Sequence, residues 1–245
     1  VDSNGGEARQ LTSNSSYDTA PVWSPDSKQI AFASARNGSM DVYIVSKDGG
    51  SPKRLTTNST QEMPVAFLNA KEILFCANIL PSAEYGDLPR ARAGQIYKVG
   101  IDGSRPTLFS SVCMEQMDID TKGRILYHDN KGYEDPWRKH HTSSIARDIW
   151  LAQGDEERSF TKLSAFAGED RNPVWAPDGD SYYYLSEQNG TFNIYRSSLS
   201  NKEERTQITK HTKHPVRFLS IADNGTLCYG YNGDIYTLSE GASPK

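Results

Sequence analysis

A repeated sequence segment constrains the fold of this chain more than any other feature. The segment "PVWSPDSKQIAFAS", Pro21 to Ser34, returns 152 residues later as "PVWAPDGDSYYYLS" from Pro173. Weaker copies lie between and after these two, near Met63, Met117 and His214. A repeat of this length predicts a tandem array in which each unit buries its faces against its neighbours.

The second half of the unit also repeats, around an Asp-x-Tyr core. Its aromatic position recurs after steps of 54, 53, 45 and 41 residues, at Tyr43, Tyr97, Trp150, Tyr195 and Tyr236. Turn residues separate the apolar runs, and Asn-Gly at Asn37, Asn189 and Asn232 is a strong hairpin signal. Each copy therefore predicts four consecutive antiparallel strands, a to d, which is the pattern of a β-propeller blade.

We predict an all-β, single-domain β-propeller of four-stranded antiparallel blades with five visible repeats. The predicted boundaries are a partial blade at 1–12 and blades at 13–56, 57–109, 110–164, 165–209 and 210–245. One interpretation is a five-bladed ring that closes when Glu7–Thr12 pairs with Asp234–Leu238. The other, which we favour, is a six-bladed ring in a longer parent, with its first blade truncated here.

The bulk composition excludes several classes of protein. The net charge is −4, and the basic residues are spread along the chain, so no nucleic-acid footprint is expected. No apolar run approaches the length of a membrane span. Three widely spaced cysteines predict neither a disulfide framework nor a metal site, and in Cys76 and Cys228 we expect buried, inert thiols. We expect no cofactor.

The unit "PVWSPDSKQIAFAS…DVYIVSKDGGSPKRLT" resembles the repeat of TolB-type propellers, which also occurs in tricorn-like proteases and relatives of prolyl oligopeptidase. "ILYHDNKGYEDPWRKHHTSSIARDIW", Ile125 to Trp150, with "AGEDRNPVW", Ala167 to Trp175, resembles the N-terminal propeller of bacterial tricorn-protease homologues. The resemblance implies a large periplasmic or extracytoplasmic serine peptidase as parent, with a propeller that gates or routes peptides. The catalytic Ser and His of that family lie in segments this chain does not contain, so none carries over.

Two insertions between strands b and c are the candidate recognition loops. They are Pro81–Gly94 and Trp137–Arg147, and their common slot in neighbouring blades predicts that both rise on the same face. In the second and just before it, the side chains suited to a peptide carboxylate and an apolar side chain are Tyr133, Trp137, Arg138, Lys139, His140, His141 and Arg147. The first interpretation of this insertion is packing over the ring or against a neighbouring domain; peptide or partner recognition comes second, and catalysis or a metal site is disfavoured. Adjacent histidines in an extended loop point apart, which disfavours a catalytic triad.

Two acidic residues recur at the start of the predicted innermost strand. Asp18 and Asp170 each stand three residues before a proline, near the predicted channel mouth. They predict a cation or amine site, or else Asx turns that begin strand a. Partners are therefore expected to be peptides, proteins or neighbouring domains. The alternatives to a peptidase propeller are a TolB-like interaction scaffold and an enzyme that acts at the channel mouth.

Overall fold

The computed structural model describes residues 6–79, 94–132, 142–154, 158–164, 166–201, 203–239 and 241–245. Every regular element within these ranges is a β-strand, and consecutive strands pair antiparallel into five separate sheets. The chain divides into two compact units, Val1–Met114 and Glu115–Lys245. The prediction of an all-β chain built from five tandem antiparallel repeats is confirmed.

The first unit contains two four-stranded sheets. The first sheet has the order β1(Asp18–Trp23), β2(Gln29–Asn37), β3(Ser39–Ser46), β4(Lys53–Arg54), and the second β5(Glu62–Asn69), β6(Glu72–Ala77), β7(Gln95–Gly100), β8(Thr107–Ser110). Facing apolar side chains hold the two sheets together; Val42 and Leu55 of the first cluster with Phe67 and Phe75 of the second. Residues 7–12 contain no strand, so the expected pairing of Glu7–Thr12 as a strand with Asp234–Leu238 is not seen.

The second unit contains three sheets. They are β9(Met114–Ile119), β10(Ile125–Asp129), β11(Ile149–Gln153), β12(Ser159–Lys162); β13(Asp170–Trp175), β14(Ser181–Ser186), β15(Asn193–Ser198), β16(Arg205–Gln207); and β17(Arg217–Ile221), β18(Leu227–Tyr231), β19(Asp234–Leu238). The last sheet has three strands among the described residues, where the repeat predicted four. Only the backbone of Lys245 occupies the place of its fourth strand, and it pairs with Thr237.

Asn-Gly forms the hairpin between strands b and c, as predicted. Tyr231 pairs with Asp234 across a two-residue turn in which Asn232 and Gly233 have φ values of 54° and 91°. Two consecutive positive φ values define the turn that matches the twist of a hairpin, and Asn and Gly tolerate them best. Cys76, Cys113 and Cys228 form no disulfide bonds, but they are partly exposed, where the sequence predicted burial for Cys76 and Cys228.

A side-chain bridge fastens strand d to strand c. In the fourth sheet the Ile194 N–H donates to Thr209 Oγ1 (2.9 Å), and that hydroxyl donates to Asn193 Oδ1 (2.9 Å). In the third sheet Ile149 N–H donates to Ser164 Oγ in the same way (2.9 Å). This bridge explains why the repeat carries Asp or Asn at the start of strand c and Thr or Ser after strand d.

Candidate functional site

The innermost strands contain a feature that the sequence did not signal. In β1, β13 and β17 the pairing with the next strand slips by one residue, which defines a β-bulge. The residue at the bulge has positive φ in each case, 49° at Ala20, 52° at Asn172 and 56° at Phe218. Bulges redirect side chains and are frequent beside functional sites. Alanine and phenylalanine rarely adopt this conformation, so composition did not reveal it.

In the second unit the bulge gathers charged side chains into a buried network, which we call the inner-strand cluster: Glu115, His128, Arg147, Glu169 and Arg171. Arg147 Nη1 lies 3.1 Å from Glu169 Oε1, and Arg171 Nη1 lies 3.4 Å from the same oxygen. Arg147 Nε is also 3.7 Å from Glu115 Oε2. Two cations thus share one buried carboxylate. Removing one partner from such a group leaves a buried charge without a counter-charge.

His128 connects β10 to the bulge of β13. Its Nδ1 accepts the backbone N–H of Asn172 (3.1 Å), and its Nε2 lies 3.3 Å from Glu115 Oε2. An acceptor at Nδ1 places the proton on Nε2 and makes the ring neutral. Burial agrees, since it lowers the pKa of His128. Burial would raise the pKa of Glu115, but hydrogen bonds from His128 and Asn130 and the charge of Arg147 act to lower it.

Asp170 lies beside this cluster and has an unusual environment. It is 1% exposed, and neither carboxylate oxygen has a hydrogen-bond partner within the described part of the chain. Burial raises the pKa of Asp170 to about 7, although the nearby Ser186 hydroxyl and the charge of Arg205 act to lower it. A buried carboxyl with a pKa this high holds a proton near neutrality.

Asp18 occupies the same place in the first sheet but has a cation partner. Asp18 faces Ser34 across the strands, as Asp170 faces Ser186. Arg36 Nη2 donates to both carboxylate oxygens of Asp18 (3.2 and 3.1 Å), and its Nε donates to Ser34 Oγ (2.9 Å). Burial would raise the pKa of Asp18, but the hydroxyls of Ser34 and Thr12 and the Arg36 guanidinium outweigh it and lower the pKa.

A small polar pocket lies next to Asp148. Lys131 Nζ and Lys162 Nζ lie 2.5 and 2.7 Å from Asp148 Oδ2. The pocket has a volume of about 240 Å³, and Ser143 and Ser144 contribute to its lining. Its two lysines already neutralise Asp148 and Asp129, so the pocket has little net charge.

The structure thus places three of the nine predicted site residues. Arg147 lies in the inner-strand cluster, Asp170 lies beside it, and Asp18 belongs to the other unit. Six lie outside the described residues: Tyr133, Trp137, Arg138, Lys139, His140 and His141. Glu115, His128, Glu169 and Arg171 were not predicted. The adjacent charges of Glu169-Asp170-Arg171 were a signal, since charged residues rarely enter a buried strand without a partner.

Metal-binding groups and membrane-spanning helices are absent from the described ranges, 6–79, 94–132 and the five segments after them. Within these ranges, no group of three or more His, Cys, Asp or Glu side chains is arranged so that it could hold a metal ion. No helix in them is long and apolar enough to cross a membrane.

Sheets of this kind, in tandem and with bulged inner strands, define a β-propeller protein. The family described as "Tricorn protease N-terminal beta propeller domain" matches residues 1–243, and the chain belongs to it. The predicted all-β propeller with five repeats and the predicted family are confirmed, while the six-bladed ring in a longer parent stays a prediction.

The relatives agree with this assignment. Tricorn protease homolog 1 of Streptomyces coelicolor is 24% identical over 243 residues, and the aligned region covers 98% of this chain and 22% of that protein. Putative tricorn protease homolog 2 of the same organism is 26% identical over 250 residues, with coverage of 98% and 20%. The chain therefore spans about a fifth of the length of these relatives.

Solved structures show the same fold. The crystal structure of the tricorn protease superposes with a TM-score of 0.76 at 19% identity, over 96% of this chain and 22% of that one. A putative TolB from Agrobacterium tumefaciens superposes with a TM-score of 0.68 at 18% identity, over 97% of this chain and 82% of that one.

Proposed function

We propose that this chain is a non-catalytic propeller domain of a larger tricorn-like serine peptidase, where it binds or gates peptides and contacts neighbouring domains. The observation that carries the proposal is the family match over residues 1–243, combined with relatives about five times as long. A periplasmic or extracytoplasmic location is part of the proposal. It rests on the resemblance to bacterial tricorn-protease homologues.

Within this function, we place peptide recognition in the segment before Arg147. Arg138 and Lys139 would bind a peptide carboxylate, while Trp137 and Tyr133 would contact an apolar side chain; His140 and His141 complete the set. Arg147 is already bonded to Glu169 and lies near Glu115, so its guanidinium is occupied. We therefore assign Arg147 the role of fixing the end of the segment, and the first contact with the carboxylate to Arg138 and Lys139.

A TolB-like interaction scaffold is the alternative. It is favoured by the superposition with the putative TolB, of which this chain covers 82%. Under this alternative the same surface would bind a folded protein rather than peptides.

The test combines hydrolysis with binding on the isolated chain. We expect no turnover of fluorogenic peptides, and saturable binding of peptides with a free C-terminus that Arg138→Ala with Lys139→Ala weakens. Lys28→Ala, an exposed lysine of the first unit, is the matched control. Turnover that disappears in His140→Ala, His141→Ala or Asp170→Asn would show an enzyme instead. Binding that ignores the C-terminal carboxylate would remove the assigned role of Arg138 and Lys139.

A further inference from the structure

One turn in the described part of the chain differs from six similar turns in how its backbone is bonded. Seven Asn-Gly or Asp-Gly steps lie in the described ranges. In six of them the glycine N–H donates to the carbonyl oxygen three residues earlier, over 2.8–3.1 Å; these glycines are Gly38, Gly49, Gly103, Gly179, Gly190 and Gly225. In the seventh step, Asn232-Gly233, the glycine N–H has no acceptor within the described ranges.

The length of the turn explains the difference. The six bonded glycines are the last residues of four-residue turns, and their N–H makes the bond that closes each turn. Gly233 instead lies inside a two-residue hairpin turn, which Tyr231 and Asp234 close by pairing with each other. Its N–H is therefore free because of the turn between β18 and β19, whatever segment pairs with the outer edge of β19.

The side chain of Asn232 is also unrestrained, since its amide has no hydrogen-bond partner among the described residues. In two of the other three Asn-Gly turns the side chain is held. Asn189 Nδ2 donates to Gln207 Oε1 (2.7 Å), and Asn224 Oδ1 accepts the Thr226 N–H (3.0 Å). All four asparagines are exposed, so exposure does not separate these sites, whereas the bonding of the glycine N–H does.

A free glycine N–H after an exposed asparagine permits a cyclisation that needs no catalyst, because glycine has no side chain to hinder it. Solvent hydroxide removes the proton from the Gly233 nitrogen, and that nitrogen forms a bond to Cγ of Asn232. The bond from Cγ to the amide nitrogen breaks, and this nitrogen takes up a proton from water and leaves as ammonia. Water then opens the five-membered imide. Opening at one carbonyl gives aspartate, and opening at the other gives isoaspartate, whose main chain runs through the former side chain.

The same reaction is slower at the other Asn-Gly turns. Their glycine nitrogen already donates to a carbonyl oxygen, so it must give up that hydrogen bond before it can attack.

We propose that Asn232-Gly233 is a site of spontaneous deamidation in the folded protein. Both products carry a new carboxylate two residues before Asp234. The isoaspartate product also adds one methylene to the main chain of a turn that has room for two residues only, so it disrupts the pairing of Tyr231 with Asp234. This hairpin joins strands b and c, the same connection that contains the proposed recognition segment in the third sheet. The modification itself needs only the folded hairpin and is independent of the proposed function.

The test follows each Asn-Gly step by peptide mass spectrometry while the intact chain is incubated at pH 8. Deamidation exchanges an NH₂ group for OH, and the change in mass reports it. The tryptic peptide 218–245 contains both Asn224 and Asn232, so its fragmentation must assign the modified residue. The further step Asn4-Gly5 lies outside the described residues and falls in a separate peptide.

We expect Asn232 to be modified about fivefold faster than the other three asparagines of described Asn-Gly turns, because only their glycines must give up a hydrogen bond. The rate should rise with pH, because the attacking nitrogen must lose its proton.

Unfolding supplies the matched control. In concentrated urea all four Asn-Gly turns are lost, so their four rates should converge. Asn232→Gly keeps a residue that tolerates positive φ but removes the reacting amide, so it should abolish modification of this hairpin, whereas Asn37→Gly should leave the rate at Asn232 unchanged. The proposal is overturned if another of the described Asn-Gly steps reacts as fast as Asn232 in the folded chain. It is also overturned if folding slows the reaction at Asn232 by the same factor as at the other three.

Discussion

Replacing the carboxyl of Asp170 by an amide should stabilise the protein at neutral and alkaline pH. Burial raises the pKa of Asp170 from an ordinary 3.8 to about 7, so the folded state holds a proton that the unfolded state releases. The free energy of unfolding is then highest below about pH 4, falls between pH 4 and 7, and is level above. The amide of the Asp170→Asn variant cannot ionise, so the variant does not incur this loss.

The magnitude follows from the displacement of the pKa. Three pKa units correspond to about 4 kcal/mol at most, and rearrangement around the ionised carboxylate reduces the measured value. We expect Asp170→Asn to exceed the wild type by about 2–4 kcal/mol at pH 8 and to equal it near pH 4. Urea unfolding followed by circular dichroism at both pH values, at constant ionic strength, measures the difference.

The chain contains its own control. Asp18 occupies the equivalent place, but the hydroxyls of Ser34 and Thr12 and the Arg36 guanidinium lower its pKa, so its contribution is present at neutral pH and is lost as the pH falls. Asp18→Asn should therefore lower the free energy of unfolding at pH 8 and have a smaller effect in acid. Its effect at pH 8 is opposite in sign to that of Asp170→Asn. Gln188 stands two residues after Ser186, as Arg36 stands two residues after Ser34, but it supplies no cation. The substitution Gln188→Arg should therefore stabilise the wild-type protein at pH 8 but not the Asp170→Asn variant.

Equal destabilisation by Asp170→Asn at pH 4 and at pH 8 would refute the assigned protonation of Asp170. That result would mean that the carboxylate is satisfied when ionised and that the side chain is needed for its shape or for a contact independent of charge.

Three further results are expected. Glu169→Gln should cost about 3–5 kcal/mol in urea unfolding, because Arg147 and Arg171 lose their shared buried carboxylate; a loss below about 1 kcal/mol would show that neither arginine depends on it. Thr209→Val should cost about 1–3 kcal/mol by leaving the buried Ile194 N–H unsatisfied, while the exposed Thr206→Val should be nearly neutral by the same assay; equal effects would contradict the bridge. Deleting 135–144 should preserve a single cooperative thermal transition, and its loss would show that the segment belongs to the core.

Local signals in the sequence were sufficient for the architecture. The turn residues and the Asp-x-Tyr core specify hairpins and strand order within 41 to 54 residues, so each sheet is determined by its own segment. Asn232-Gly233 is typical, since its dipeptide alone sets the backbone conformation of the turn.

The candidate site depends on pairings that sequence proximity does not reveal. Asp18 and Asp170 look alike in the repeat, yet one carboxylate is ionised against a guanidinium and the other is buried with no hydrogen-bond partner in the described ranges. Arg36 lies 18 residues after Asp18 and bonds to it, whereas the residue 18 positions after Asp170 is the uncharged Gln188. His128 likewise accepts the backbone N–H of Asn172, which lies 44 residues further along the chain, at a β-bulge that no local sequence motif predicts. Because blades repeat their backbone but not these cross-strand partners, chemical differences between equivalent positions, rather than the repeat itself, are where function in this propeller should be sought.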